Sequence, residues 1–420
     1  MPTNPTHVIV GASLAGAKAA ETLRAEGFDG RLLLVGEEAE RPYERPPLTK
    51  AYLRGEADRD SLYVHEEGFY AAHDIELRTS TPVRSIDPAH RRVELASGER
   101  IGYDRLLLTT GAAPRHLAVP GAELAGVHYL RTRQDADTLA AAAAGAEHVV
   151  VVGTGWIGSE AAASLRQLGP DVTMVGPDRA PLERVLGPEV AGVYRDLHAD
   201  HGVRLVLGTR VAGFRGHGRV EAVVTDDGAT IEADLVLVGA GAVPRTELAE
   251  AAGLPVGNGV LVNEQLEAVG AAGVYAAGDV AAAWHPRYQS YLRVEHWANA
   301  LNQGPAAARN MLGRSLPYAR LPYFYSDQYD LGMEYSGLAA TWDRVVVRGD
   351  LAAREFIAFW LKDQRVIAGM NAGVWDVVEP IQALIRGGRP VDPERLANPN
   401  LPLDQVTGEP VGTLAARSTP

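Results

Sequence analysis

The chain has 420 residues, more than a single hydrophobic core usually organises, so two or three domains are expected. A hydrophobic fraction of 46% and a charged fraction of 22% are those of a soluble globular protein, and no run is long and apolar enough to be read as a membrane span. The net charge of −13 argues against non-specific nucleic-acid binding, and zero cysteines exclude disulfides, thiolate metal centres, cysteine-ligated iron–sulfur clusters and thiol catalysis, so any redox chemistry must belong to a bound cofactor.

The first predicted element is a strand, His7-Val8-Ile9-Val10, entered without a signal peptide, which makes a cytoplasmic location the expectation. It runs into Gly11, Ser13 and Gly16, the tight turn and helix start of a dinucleotide site, with Ser13 in place of a middle glycine. A second strand at 31–35 ends at Gly36-Glu37, and Glu37 lies 21 residues after Gly16, near the spacing of the acid that grips an adenosine ribose. A hairpin turning at Ser97-Gly98 follows, then Asp104-Arg-Leu-Leu-Leu-Thr-Thr-Gly111-Ala-Ala-Pro114-Arg115.

That last segment recurs as Asp234-Leu-Val-Leu-Val-Gly-Ala-Gly241-Ala-Val-Pro244-Arg245, at a constant offset of 130. Ahead of it lie a strand at 149–152, a full glycine turn at Gly153, Gly155 and Gly158, with Ile157 inside it and Glu160 in the following helix, and a hairpin turning at Asp227-Gly228. Two copies of one nucleotide-binding domain account for this pattern. Gly273-Val-Tyr-Ala-Ala-Gly278-Asp279 then reads as a buried strand completing the first copy, which makes the second an insertion. From about residue 321, aromatic-rich segments alternate with turns, predicting an antiparallel sheet with a short helix near 380–386. Residues 398–420 read as an extended tail. His198 and His201 have no third ligand nearby and are read as a surface helix rather than a zinc site. The fold class is α/β: two Rossmann-like nucleotide-binding domains, the first at 1–112 and 246–319 and the second at 113–245, with a C-terminal α+β domain at 320–420.

Several segments together resemble the NADH-dependent ferredoxin reductases of the two-dinucleotide-fold flavoproteins, over almost the whole chain. They are Glu44-Arg45-Pro-Pro-Leu-Thr-Lys50-Ala-Tyr-Leu, Tyr103-Asp-Arg-Leu-Leu-Leu-Thr-Thr-Gly-Ala, Tyr129-Leu-Arg131-Thr, Gly155-Trp-Ile-Gly-Ser-Glu160, Val294-Glu295-His-Trp297 and Ser326-Asp-Gln-Tyr329. The resemblance implies FAD in the first domain and NADH, with NADPH as the alternative, in the second. It implies Ala15 at the diphosphate, Glu37 at the ribose, Val83 at the adenine, and Thr110, Gly111 and Arg131 bordering flavin and phosphates. Gly278 and Asp279 would hold the ribityl chain, and Gly241 repeats the part of Gly111; Arg45, read from the sequence alone, is either solvated or paired with a phosphate. Lys50, Glu160, Glu295 and Trp297 would surround the reacting rings, Glu160 meeting the nicotinamide carboxamide; no metal is expected.

The implied partner is a [2Fe–2S] ferredoxin serving a cytochrome P450 or a ring-hydroxylating dioxygenase. The alternatives are a quinone or oxygen acceptor, or a redox sensor like apoptosis-inducing factor. Arg309, Arg314 and Arg320 are taken as a basic rim for an acidic ferredoxin. After the second-domain strand the chain reads Gly176-Pro177-Asp178-Arg179 where the family often has an acid, so Asp178, Arg179 and Arg184 are the candidates for choosing between NADH and NADPH.

Overall fold

The computed structural model describes residues 4–407. Their backbone divides into two compact units, each built from two stretches of chain: Met1–Ala146 with Leu237–Arg320, and Glu147–Val236 with Leu321 onward. The segment after residue 112, including a helix at Arg133–Ala143, and residues 237–245 therefore group with the first unit, and the C-terminal sheet groups with the second.

Along the chain, strand β1 (Thr6–Val10) leads into helix α1 (Leu14–Ala25), then β2 (Arg31–Val35), β3 (Ile75–Arg78) and β4 (Arg105–Leu108). The second unit opens with β5 (His148–Val152), α2 (Trp156–Gln167), β6 (Asp171–Gly176), α3 (Glu183–Asp200) and β7 (Arg204–Leu207), and β8 (Leu235–Val238) spans the change of unit after Val236. The chain returns to the first unit with β9 (Val274–Ala276) and α4 (Trp297–Met311), and ends in the second with β10 (Tyr323–Gln328), β11 (Leu331–Gly337), β12 (Arg344–Asp350), β13 (Glu355–Lys362), β14 (Arg365–Ala372) and α5 (Val378–Gly387).

The first unit's main sheet is parallel, in the order β9-β4-β1-β2-β3. Strands β1, β2, β4 and β9 are apolar runs buried on both faces, with Val8, Leu33, Leu106 and Leu107 fully buried, while the edge strand β3 alternates as Ile75-Glu-Leu-Arg78. The expected completing strand is β9, paired with β4 at Tyr275↔Leu107. Alanines on α1 let α4 cross it closely: a Cβ on Gly304 would collide with the Ala15 carbonyl oxygen. The second unit repeats the plan with β7-β6-β5-β8. Each copy also carries a three-stranded antiparallel sheet, at Val83–Asp87, Arg92–Leu95 and Arg100–Gly102, and at Val211–Arg215, Ala222–Thr225 and Thr230–Glu232.

The repeated segments are alike in detail. The Asp104 carboxylate accepts from the Thr6 N–H at 2.7 Å, and that of Asp234 from the His148 N–H at 2.9 Å, so each aspartate ties the entry of its central strand. The two copies' Pro-ending strands, Ala112–Pro114 and Ala242–Pro244, pair antiparallel with each other. They are closed by reciprocal bonds, Arg115 N–H to Gly241 O at 2.8 Å and Arg245 N–H to Gly111 O at 3.0 Å.

The C-terminal part forms the antiparallel sheet β10-β11-β14-β13-β12, with Phe356, Phe359, Trp360 and Met370 fully buried and α5 against it. Two expectations change here. Residues 398–407 are not an extended tail: Leu403 and Val406 bury themselves in the cluster that holds Ile381 and Ile385, and residues 408–420 lie outside the described residues. His198 is not on a surface helix: it is fully buried on α3 and hydrogen-bonds Gln328 at 3.0 Å.

Candidate functional site

In the first unit, β1, β2, β4 and β9 all end at the same carboxyl edge, the place where open α/β sheets bind ligands. After β1 the chain turns at Gly11, whose φ is +119° and whose added Cβ would collide with the Thr109 carbonyl oxygen; one on Gly16 would collide with that of Gly11. This tight turn brings the first turn of α1, with Ala15, to the sheet edge. Ser13 at the N-cap makes no side-chain cap, so the N–H donors there are not answered by its hydroxyl, as an anion-binding helix start requires. The other strands deliver Glu37 after β2, Thr110 and Gly111 (φ +72°) after β4, and Gly278 (φ +78°) and Asp279 after β9.

A polar network surrounds that edge. Asp279 pairs with Arg131 at 2.8 Å, and the Gly278 N–H donates to buried Gln303 at 2.9 Å, which pins the turn carrying Asp279. Arg45 binds Glu38 at 2.5 Å and the Arg131 carbonyl at 2.6 Å. Burial pushes the Glu38 carboxyl up, but the Arg45 charge and the Tyr43 hydroxyl outweigh it and hold the group below the usual range. Trp297, at the start of α4, donates its indole N–H to Glu44 at 2.6 Å; burial raises the pKa of Glu44. Lys50 is anchored at its ammonium by Thr49 at 3.3 Å. Glu37 pairs with Arg245, while Thr110 donates to the Arg245 carbonyl at 2.9 Å, and Glu295 pairs with Arg293. Val83 opens the first of the antiparallel strands. Gln303, Glu44 and Arg245 were not expected: each is defined by a partner 25 or more positions away, a relation that local spacing does not carry.

The donor set fits a dinucleotide carrying a redox ring. The glycine turn and uncapped helix start suit a diphosphate, Glu37 a ribose, Asp279 a polyhydroxyl chain, and the Lys50 and Arg131 cations an anionic ring or phosphate. A Cβ at Gly11 or Gly16 would break the turn that forms the cradle, since each would collide with a backbone carbonyl oxygen.

The second unit holds the other set. Gly153 has φ +113°, a Cβ on Gly158 would collide with the Gly153 carbonyl oxygen, and Gly155 caps α2 with no side chain. Ile157 in the first turn is 41% exposed. Glu160 is buried one turn further along and accepts from Ser326 at 2.7 Å. Ser326 accepts from Gln328 at 3.3 Å, and Gln328 accepts from His198, so a chain of bonds runs from α3 through β10 to the Glu160 carboxylate. At the end of β6, Arg184 pairs with Asp178 at 2.8 Å and Arg179 with Glu183 at 2.5 Å.

Two of the three arginines read as a basic rim are tied to one acid. Arg309 and Arg314 both bind the single carboxylate of Glu26, and Arg309 lies 12 positions along α4 from Trp297, about 18 Å by helix rise. Among the described residues no cluster of potential ligands could hold a metal ion, and no helix is long and apolar enough to cross a membrane.

Residues 5–304 match the family described as pyridine nucleotide-disulphide oxidoreductase, and residues 323–407 match one described as reductase C-terminal. Rhodocoxin reductase of Rhodococcus erythropolis is 39% identical over 94% of this chain and 93% of its own. Putidaredoxin reductase of Pseudomonas putida is 37% identical over 97% of each. The reductase component of an anthranilate 1,2-dioxygenase system, from Burkholderia cepacia, is 38% identical over 94% and 98%. Among solved structures, the covalent complex of putidaredoxin reductase with putidaredoxin superposes with a TM-score of 0.91 at 37% identity, over 96% of this chain and 98% of that one. The ferredoxin reductase of the CYP199A2 system from Rhodopseudomonas palustris gives 0.92 at 37% identity, over 96% and 99%.

Proposed function

The chain belongs to the pyridine nucleotide-disulphide oxidoreductase family, and from that premise we propose that it is an FAD-dependent reductase that takes electrons from NADH and delivers them singly to a [2Fe–2S] ferredoxin. The observation that carries this reading is a tight glycine turn and a fixed Asp279–Arg131 pair at the carboxyl edge of the first unit's parallel sheet, in a chain with zero cysteines. The family's name refers to disulfides, but a disulfide reductase needs a reactive thiol beside its ring, and none exists here. The names and coverage of the relatives support a ferredoxin, for a cytochrome P450 or a dioxygenase, as the acceptor.

When bound, the nicotinamide supplies a hydride and the flavin divides it into single electrons. The chain's residues position and stabilise. We assign FAD rather than a shorter flavin because Glu37 follows the second strand at the spacing of an acid that grips an adenosine ribose. Uncapped α1 faces the diphosphate, and Asp279, set by Arg131 and Gln303, accepts from the ribityl hydroxyls. Lys50 holds a positive charge where reduction leaves a negative one, and Trp297, oriented by Glu44, flanks the ring. In the second unit the start of α2 holds the nicotinamide dinucleotide, and Glu160 orients the carboxamide.

The test is NADH-driven reduction of [2Fe–2S] ferredoxins encoded in the same genome, followed by their visible absorbance. Rapid reduction of one of them is expected. Flavin-loaded protein that reduces ferricyanide but no ferredoxin in the panel would overturn the assigned acceptor.

A further inference from the structure

The two copies can be aligned through their backbone bonds. Gly11 N–H donates to Val35 O at 2.8 Å, and Gly153 N–H to Val175 O at 2.8 Å. Thr81 N–H donates to Gly36 O at 2.7 Å, and Thr209 N–H to Gly176 O at 3.2 Å. Ser80 N–H donates to Glu38 O at 2.9 Å, and Gly208 N–H to Asp178 O at 3.0 Å. Gly36 therefore corresponds to Gly176 and Glu38 to Asp178. Between them, Glu37, the ribose carboxylate of the first site, corresponds to Pro177.

The preceding position is closed to an acid in both copies by the second residue of the glycine turn. A Cβ on Gly36 would lie 2.6 Å from the Cβ of Ala12, and one on Gly176 would lie 2.5 Å from Cγ2 and 2.8 Å from Oγ1 of buried Thr154. In the first copy the acid is displaced one residue onward, to Glu37; in the second that place is occupied by a proline. The neighbouring charges pair off, Asp178 with Arg184 and Glu183 with Arg179, so the loop presents no net charge to a 2′-substituent.

We propose that the second nucleotide site has no carboxylate to read the adenosine 2′ position, because Pro177 and Thr154 occupy the two places for one, and that it accepts NADH and NADPH with little discrimination. An acid there would accept from both ribose hydroxyls and repel a 2′-phosphate. Without it the 2′-hydroxyl gains nothing and the 2′-phosphate meets Arg179 and Arg184, each already balanced by its own acid. The inference rests on reading this site as the nicotinamide site, and makes Thr154, Gly176 and Pro177 its specificity determinants.

The experiment uses the flavin-loaded full chain with ferricyanide as acceptor, so that no protein partner enters the measurement. The wild-type ratio of kcat/KM for NADH to that for NADPH is expected within about tenfold of unity. Pro177→Glu is expected to move the ratio toward NADH by at least about tenfold. Gly176→Glu alone is expected to impair both substrates through the Thr154 clash, and Thr154→Gly with Gly176→Glu to restore NADH selectively; melting temperature and flavin content show that each variant is folded. A larger wild-type preference for either nucleotide, or a ratio unmoved in both folded acid-bearing variants, overturns the inference and leaves the reductase reading standing. Flavin-loaded protein that oxidises neither nucleotide overturns both.

Discussion

Asp279 combines a charge, a fixed backbone and little exposure: its side chain is 12% exposed, it follows Gly278 at φ +78°, and Arg131 holds it at 2.8 Å. Asp279→Ala removes the acceptor and leaves the Arg131 guanidinium uncompensated, an imbalance of the kind that costs several kcal/mol when buried. The variant is expected to purify with most of its flavin lost, seen as the ratio of flavin to protein absorbance. Stoichiometric flavin in the folded variant would remove Asp279 from the site. Buried histidines, His7 and His198 among them, give the protein an acid limit. Burial, aided by Arg105, lowers His7 from 6.5 to about 4, and burial lowers His198 to about 4 against the raising effect of Gln328. A histidine whose folded pKa is depressed binds protons first in the unfolded chain, so its stability is present above 6.5 and is lost as pH falls toward 4. Each contributes on the order of 3 kcal/mol across that window. Melting temperature should fall steeply between pH 6.5 and 4.5, and His198→Gln should flatten the fall; an identical slope in that variant would discount His198. The glycines and Glu37 were legible in the sequence because turn geometry and strand ends are local. The burial of His198 was not, because spacing along α3 says nothing about what packs on it.

Strand β10 shows how an element outside the nucleotide fold reaches into it. Its residues alternate, with Phe324, Ser326 and Gln328 buried and Asp327 exposed. Phe324 meets Trp156 edge-on at 4.8 Å, and Ser326 donates to Glu160. If Glu160 orients the carboxamide, Ser326 is a positioning residue. Ser326→Ala is expected to lower kcat/KM for NADH by roughly tenfold, the equivalent of one hydrogen bond to a charged group, with Ser326→Thr recovering most of it. A KM and kcat equal to wild type, at equal melting temperature, would reduce the bond to packing. The sequence revealed the repeated elements through the offset of 130, because two copies of one fold keep the same landmarks. It hid residues 398–407, whose proline-rich composition reads as tail while Leu403 and Val406 supply the apolar contacts that dock it.

For the molecule as a whole, the absence of cysteine outweighs every other compositional fact. In this chain the region beside the first site, residues 44–50, presents Glu44, Arg45 and Lys50 and no thiol. Reducing a disulfide requires a thiolate that attacks one sulfur while the other leaves, and then a second thiol that resolves the mixed disulfide. Neither can form here, whatever the nucleotide sites do. The cofactor's electrons must therefore leave without a covalent protein intermediate, which suits a one-electron acceptor that docks and departs. Two measurements follow. Anaerobic reduction by NADH should produce no long-wavelength thiolate-to-flavin band. The same preparation should reduce ferricyanide or ferredoxin rapidly while leaving glutathione disulfide, lipoamide and coenzyme A disulfide unreduced. Disulfide reduction by the purified chain, at a rate above that of free flavin, would refute a route that bypasses sulfur.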